Sequence, residues 1–291
     1  SPDVVTLDVE MPGMRGTDLL NKILPTNPLP IILVSSVNMG VFEALDAGAV
    51  DFVKKPDGVD NVSFHSFCSE LKTKVKIAST ARIRKKPSSH SSPAKPISLS
   101  SNQFKRNLIA IGASTGGTEA TLAILKQLPA KSPGIVIVQH MPAGFTKMYA
   151  DRLNKICQIS VSEAKHGDRV EQGRALIAPG DQHMKLERDA KGYFVRCLSG
   201  EKVSGHCPSV DVLFDSVAEK AGADSIGIIL TGMGRDGANG LLHMKNSGAY
   251  TIGQDRASCV VYGMPREAFI MGAVMKQESC ENIASVLVRN L

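Results

Sequence analysis

Short apolar runs alternate with stretches of helical spacing along most of this 291-residue chain. In residues 2–80, "DVVTLD", "LPIILVSS" and "GAVDFVKKP" read as buried parallel strands, because their apolar residues run on instead of alternating. Between them "GTDLLNKIL" and "GVFEALDAG" repeat apolar residues every three or four positions and predict helices. From Thr80 to Arg106 the pattern lapses. "TARIRKKPSSHSSPAKPISLSSNQFKR" is rich in Ser, Pro and charge, lacks the periodicity needed to pack, and predicts a flexible linker over 81–106.

The alternation resumes at Asn107. "LIAIGA", "GIVIVQH", "ALIAP", "SIGIILTG" and "AYTIGQ" predict strands, with helices around Glu119–Leu128, Thr146–Ile156, Val210–Ala221 and Asn239–Ser247. "HMKLERDAKGYFVRCL" alternates with period two about Lys191-Gly192 and predicts a β-hairpin insert. Repeated βα units imply a doubly wound, mostly parallel sheet. The expected architecture is therefore α/β with two domains, 1–80 and 107–291, joined by the linker 81–106.

Composition narrows the function classes. A hydrophobic content of 43% with 21% charged residues is ordinary for a globular protein, and no apolar run is long enough to span a bilayer. There is no signal peptide, and the chain opens at Ser1 in mid-pattern, which predicts a fragment. The net charge of +6 is modest and its positive excess gathers in the linker, while aromatics make up only 4%. No base-stacking surface is expected, so neither nucleic acid nor membrane insertion is predicted. Six cysteines are scattered without a C-x-x-C, and seven histidines without metal-ligand spacing. Both patterns predict reduced thiols in a cytoplasmic protein and no structural zinc.

In doubly wound sheets chemistry collects at the carboxyl ends of the strands. Three ends stand out: Ser114 after "LIAIGA", His140 after "GIVIVQH", and Asp236 in the glycine-rich loop after "SIGIIL". A serine hydroxyl becomes a useful nucleophile when a neighbouring base takes its proton. Histidine is suited to that task, and a carboxylate fixes its tautomer. Gly112-Ala113-Ser114-Thr115-Gly116 matches G-x-S-x-G, a strand-to-helix elbow that exposes the serine and aims helix N-terminal amides at a developing oxyanion. The same glycines could cradle a pyrophosphate. That site requires an acidic residue at the end of the second strand to hold a ribose, and here stand Gln139 and His140. The bland alternatives are that Ser114 caps a helix, His140 is a polar strand-end residue and Asp236 caps the helix near Ala238. The joint placement of the three favours hydrolysis. His166, His183 and His206 stay open as other bases, though no strand pattern places them as well, and Cys207 reads as a buried or rim thiol.

"GASTGG", "VQHMPAGFT", "APGDQHMKL", "PSVDVLFDSVA", "ILTGMGRDGANG" and "QDRASCVVYGMPREA" closely resemble the catalytic domain of the CheB chemotaxis methylesterase family over 107–275. The resemblance implies a cytoplasmic receptor-glutamate methylesterase and glutamine deamidase that needs no cofactor for catalysis. It implies Ser114, His140 and Asp236 as its triad, and Thr115 and Met233 at the oxyanion site, Met233 through its backbone N–H. Its chain order Ser–His–Asp differs from that of α/β-hydrolases, so the elbow match is convergent. Residues 1–80 resemble a response-regulator receiver domain of flavodoxin-like fold. There Asp8 matches the phosphoacceptor, Ser35 the hydroxyl switch and Lys55 the receiver lysine. The implied partners are methyl-accepting chemotaxis receptors as substrate and the chemotaxis histidine kinase as phosphoryl donor. Mg²⁺ is implied for receiver phosphorylation, which controls the esterase in the intact protein. The family's first two receiver strands, with the acidic Mg²⁺-binding pair, have no counterpart before Ser1, so a partial receiver without a complete metal site is expected. The rival readings are a nucleotide-dependent oxidoreductase and a catalytically silent receiver-type adaptor.

Overall fold

The structure is a computed structural model that describes residues 2–11, 13–36, 40–56, 58, 61–83 and 104–291. Most of the predicted linker, 84–103, lies outside the described residues. Two compact units divide the chain between Pro93 and Ala94.

The first unit carries β1 (Val5–Asp8), a two-residue ribbon β2 (Glu10–Met11) and β3 (Met14–Arg15), and α1 (Gly16–Ile23). Then follow β4 (Ile31–Ser35), α2 (Gly40–Ala47), β5 (Asp51–Lys54) and α3 (Asn61–Ala78). Strands β1, β4 and β5 form a parallel sheet in that order, pairing Asp8 with Val34 and Ser35 with Lys54. The three predicted strands thus lie side by side, and their carboxyl ends converge. Helix α3, which the sequence reading did not place, is tied to β5 by Lys74, whose ammonium meets Asp51 Oδ1 at 3.1 Å.

The second unit begins with β6 (Leu108–Ala113), α4 (Gly117–Leu125), β7 (Gly134–Gln139), α5 (Phe145–Ile156), β8 (Ser160–Glu163) and β9 (Arg174–Ile177). The hairpin β10 (His183–Asp189) and β11 (Gly192–Leu198) precedes α6 (Val210–Lys220) and β12 (Ser225–Ile229). Helix α7 (Ala238–Asn246), β13 (Tyr250–Gln254), α8 (Met264–Ile270), β14 (Lys276–Glu278) and α9 (Cys280–Arg289) complete it. Seven strands form one sheet in the order β14-β13-β12-β6-β7-β9-β8, and every neighbouring pair is parallel. The hairpin pairs Asp189 with Gly192, so its two-residue turn is Ala190-Lys191, one residue earlier than the sequence pattern centred it.

Both faces of this sheet are covered, which is why its strands read as unbroken apolar runs. On one face Leu108, Ala110, Val136, Val138 and Leu176 share a core with Phe214 of α6, Leu241 of α7, Met264 of α8 and the hairpin's Leu186 and Val195. The alternate residues Ile109, Ile111, Ile135, Ile137 and Ile177 are equally buried and face the opposite layer. From β6 the chain winds outward through β7, then returns by α6 to place β12 on the other side of β6. The winding direction reverses between β6 and β12, and the crevice beyond their carboxyl ends is where such sheets hold their ligands. Among the described residues no helix is long and apolar enough to cross a membrane.

Phe214 is fully buried at the centre of the α6 layer. Phe214→Ala is expected to destabilise the second unit by about 3–5 kcal/mol. Urea unfolding of the full chain, followed by far-UV circular dichroism, measures it; a loss below ~1 kcal/mol would show that α6 is not a core layer.

Candidate active site

The three strand ends meet at the reversal. Register pairs Ala113 with Gln139, which makes Ser114 and His140 the next positions of adjacent parallel strands, and the His140 amide donates to the Ala113 carbonyl at 3.0 Å. Ser114 lies on the turn between β6 and α4, half-buried, its amide bonded to the Thr231 carbonyl at 3.0 Å and its carbonyl accepting from the Gly117 amide at 2.8 Å. Gly116 completes the turn at φ +76°, a left-handed conformation that suits glycine. The loop after β12 closes from the other side. A Cβ on Gly232 would stand 2.6 Å from the Ser114 Cβ, so only glycine lets this backbone approach the serine.

His140 Nε2 lies 2.8 Å from Asp236 Oδ2, with both side chains removed from water. Asp236 is held by more than the imidazole. Its Oδ2 accepts from the Val210 amide at 2.7 Å, and its Oδ1 from Ser209 Oγ at 2.8 Å and the Asp211 amide at 3.0 Å. The carboxylate therefore occupies the amino terminus of α6, where unpaired amides and the helix dipole favour negative charge. Burial opposes ionisation of Asp236, but the His140 hydrogen bond and charge, with the amides of Asp211 and Val210, outweigh it and lower its pKa to about 2. The charged carboxylate can only accept, so Nε2 is the donor in this contact. Nδ1 is buried and has no hydrogen-bond partner among the described residues.

The helical spacing predicts a helix from Val210, where α6 begins, but does not single out Ser209 before it, and it offers Asp236 as a cap for the helix near Ala238. Asp236 caps α6 instead. The available signal was "PSVD", a serine directly before a helical pattern. Ser209 N–H in turn donates to His183 Nδ1 at 3.2 Å, while His183 Nε2 meets the Glu201 carbonyl at 2.8 Å. His183 is thus a buried support for the capping serine and not a base. His166 contacts the Cys197 carbonyl at 3.4 Å. His206 does reach the site: its ring stacks on His140 with centroids 3.7 Å apart and planes within 10°. It is carried there by a tight turn in which Val203 and His206 exchange both backbone hydrogen bonds, with Ser204 and Gly205 at positive φ. No periodic pattern marks such a turn. Cys207 is half-buried, and burial and the nearby Asp181 push its thiol pKa up, which leaves it a poor nucleophile.

The predicted oxyanion residues fall on both sides of the serine. Thr115 is buried next to Ser114, its carbonyl accepting from Thr231 Oγ1 at 3.0 Å. Met233, half exposed at 47%, follows Gly232 in the loop, and among the described residues no hydrogen bond occupies its amide. In the first unit the Lys55 ammonium meets Asp8 Oδ2, and the Glu10 amide donates to Asp8 Oδ1 at 3.1 Å. Burial opposes the Asp8 charge, and these two donors outweigh it, so its carboxyl lies below the usual range. Buried Ser35 ends the adjacent strand, and its carbonyl accepts from the Lys55 amide at 2.9 Å. No group of three or more His, Cys, Asp or Glu side chains forms a metal site among the described residues. The residues described around Asp8 therefore do not by themselves form a Mg²⁺ cage.

The CheB methylesterase family model matches residues 109–287, and that of the response regulator receiver domain matches residues 1–63. The protein-glutamate methylesterase/protein-glutamine glutaminase 2 of Syntrophomonas wolfei is 54% identical over 289 residues, covering 99% of this chain and 84% of that protein. The Salmonella typhimurium protein-glutamate methylesterase/protein-glutamine glutaminase is 47% identical over 297 residues, covering 100% of this chain and 84% of that protein. The crystal structure of the Thermotoga maritima CheB methylesterase catalytic domain aligns with a TM-score of 0.62 at 36% identity, over 64% of this chain and 99% of that domain. With relatives about half identical along its whole length, this chain belongs to the CheB methylesterase family and carries a response-regulator receiver segment ahead of the esterase domain.

Proposed function

We propose that this chain hydrolyses methyl esters of glutamate side chains on chemotaxis receptors and deamidates receptor glutamines, with Ser114 as nucleophile. The observation that carries the reading is the buried 2.8 Å contact of His140 with Asp236, made at the strand end next to Ser114. Asp236 holds Nε2 protonated, so Nδ1 is the base that takes the Ser114 proton as Oγ attacks the ester carbonyl. The charge that develops on the carbonyl oxygen is met by backbone amides at Thr115 and Met233. His140 returns the proton to the leaving methoxide and methanol departs. A water, deprotonated by the same nitrogen, then cleaves the acyl-enzyme to leave a glutamate carboxylate. On glutamine the same steps release ammonia. No cofactor enters any step.

The proposed organisation is a receiver over 1–80, a linker over 81–106 and the esterase over 107–291, working in the cytoplasm. Asp8 is its phosphoacceptor from the chemotaxis histidine kinase. Lys55, already paired with that carboxylate, and Ser35, one strand over, would answer the added charge. Mg²⁺ offsets charge in such transfers when bound.

Ser114→Ala and His140→Ala are each expected to lower kcat by about 10³–10⁶, and the double variant by little more, because the pair acts as a unit. Methanol release from methylated receptor measures this. Losses that multiply in the double variant would exclude the assignment.

Acid stability reports on Asp236. Its folded pKa of about 2 lies below the ordinary 3.8, so its ionisation stabilises the fold above pH 4, and that contribution fades as pH falls towards 2. The contribution is on the order of 2 kcal/mol at neutrality and roughly half gone by pH 3. The stability gap between wild type and Asp236→Asn should therefore narrow below pH 4 in urea titrations. A gap that stays constant from pH 6 to pH 3 would contradict the buried, ionised carboxylate.

A further inference from the structure

Gln139, the last residue of β7, is buried to 2% exposure, and its amide sits between the two loops that carry the proposed chemistry. Its Nε2 donates to the Ser114 carbonyl at 2.9 Å and to the His140 carbonyl at 3.3 Å. Both partners are acceptors, which fixes the orientation of the amide: the nitrogen must face them. The oxygen is consequently turned away, and Oε1 is buried with no hydrogen-bond partner among the described residues. It is hemmed in by α4, where a Cβ on Gly117 would clash with it. Gln254 offers the contrast within the same sheet. Its Oε1 accepts from the Thr231 amide at 2.8 Å and its Nε2 donates to the Ser258 carbonyl at 2.9 Å, so both ends are satisfied. A buried acceptor left unpaired costs stability, and a half-satisfied amide is a poor core residue. The Ser114 carbonyl would not be orphaned without it, since the Gly117 amide already donates there.

Resting on the serine-hydrolase reading above, we infer that Gln139 is a positioning residue. Its amide clamps the backbone of the nucleophile to that of the base, fixing the reach from Ser114 Oγ to His140 at the expense of the core. It touches no substrate, so its loss should act on kcat and not on binding. Small displacements of reacting groups are enough to slow a reaction severely.

The test is Gln139→Met and Gln139→Leu in the full chain, beside wild type and Ser114→Ala. Methanol release is normalised to reactive serine by active-site titration. The expected result is kcat lowered on the order of tenfold or more, with KM within about threefold. Thermal midpoints should stay within about 3 °C of wild type or rise, as an apolar chain removes the unpaired acceptor. A kcat per titrated serine within about twofold of wild type, or a collapse of folding in both variants, would overturn the inference. Full activity in Ser114→Ala would instead overturn the serine reading beneath it.

Discussion

Asp236 carries a charge almost wholly removed from water, and that charge constrains the structure around it. An isolated carboxylate in such a place would be neutral. It stays ionised because the first amides of α6, the Ser209 hydroxyl and the His140 ring all donate to it. The donors come from two distant parts of the chain, 209–211 and His140, so meeting this one requirement brings α6, the β12 loop and the end of β7 together. His183 beneath Ser209, and Phe214 anchoring α6 in the core, serve the same arrangement at one remove. Asp211 shows what happens without such support. It lies in the same turn, and burial and the Asp236 charge push its pKa up despite the Gly240 amide.

The sheet supplies the other half. Parallel pairing sets adjacent strand ends side by side, so Ser114 and His140 are neighbours by register before any side-chain contact is made. The reversal of winding between β6 and β12 falls beside Ser114, and Gly232 lets the second loop come close. Fold and site are thus linked: the same topology that buries both faces of the sheet leaves its carboxyl rim for chemistry.

This division explains what could be read in the sequence. Strands β6, β7 and β12 announce themselves as apolar runs, and the residues at their ends follow from counting. Ser114, His140 and Asp236 were legible for that reason, and Asp8, Ser35 and Lys55 through resemblance at the ends of β1, β4 and β5. The short edge strands β8 and β14 and the helices α3, α8 and α9 were not placed, since brief or mixed apolar patterns do not separate them from loops. The supports of the site were hidden for another reason. Ser209 at a helix start, His183 at the first residue of β10 and His206 on an aperiodic tight turn reach it by long-range contacts, and Gln139 reads in the sequence only as a residue that is not an acidic ribose anchor. A local pattern can mark a capping residue such as Ser209, but not which distant charge it will hold.

The central claim is that a buried, ionised Asp236 fixes His140 with its proton on Nε2 and a bare Nδ1. Nitrogen-15 NMR of the imidazole in uniformly labelled protein at neutral pH reads this directly. The account predicts a His140 ring with protonated Nε2 and unprotonated Nδ1, unchanged in Ser114→Ala and lost in Asp236→Ala. A His140 ring protonated on Nδ1 alone, or one whose tautomer ignores Asp236→Ala, would contradict it.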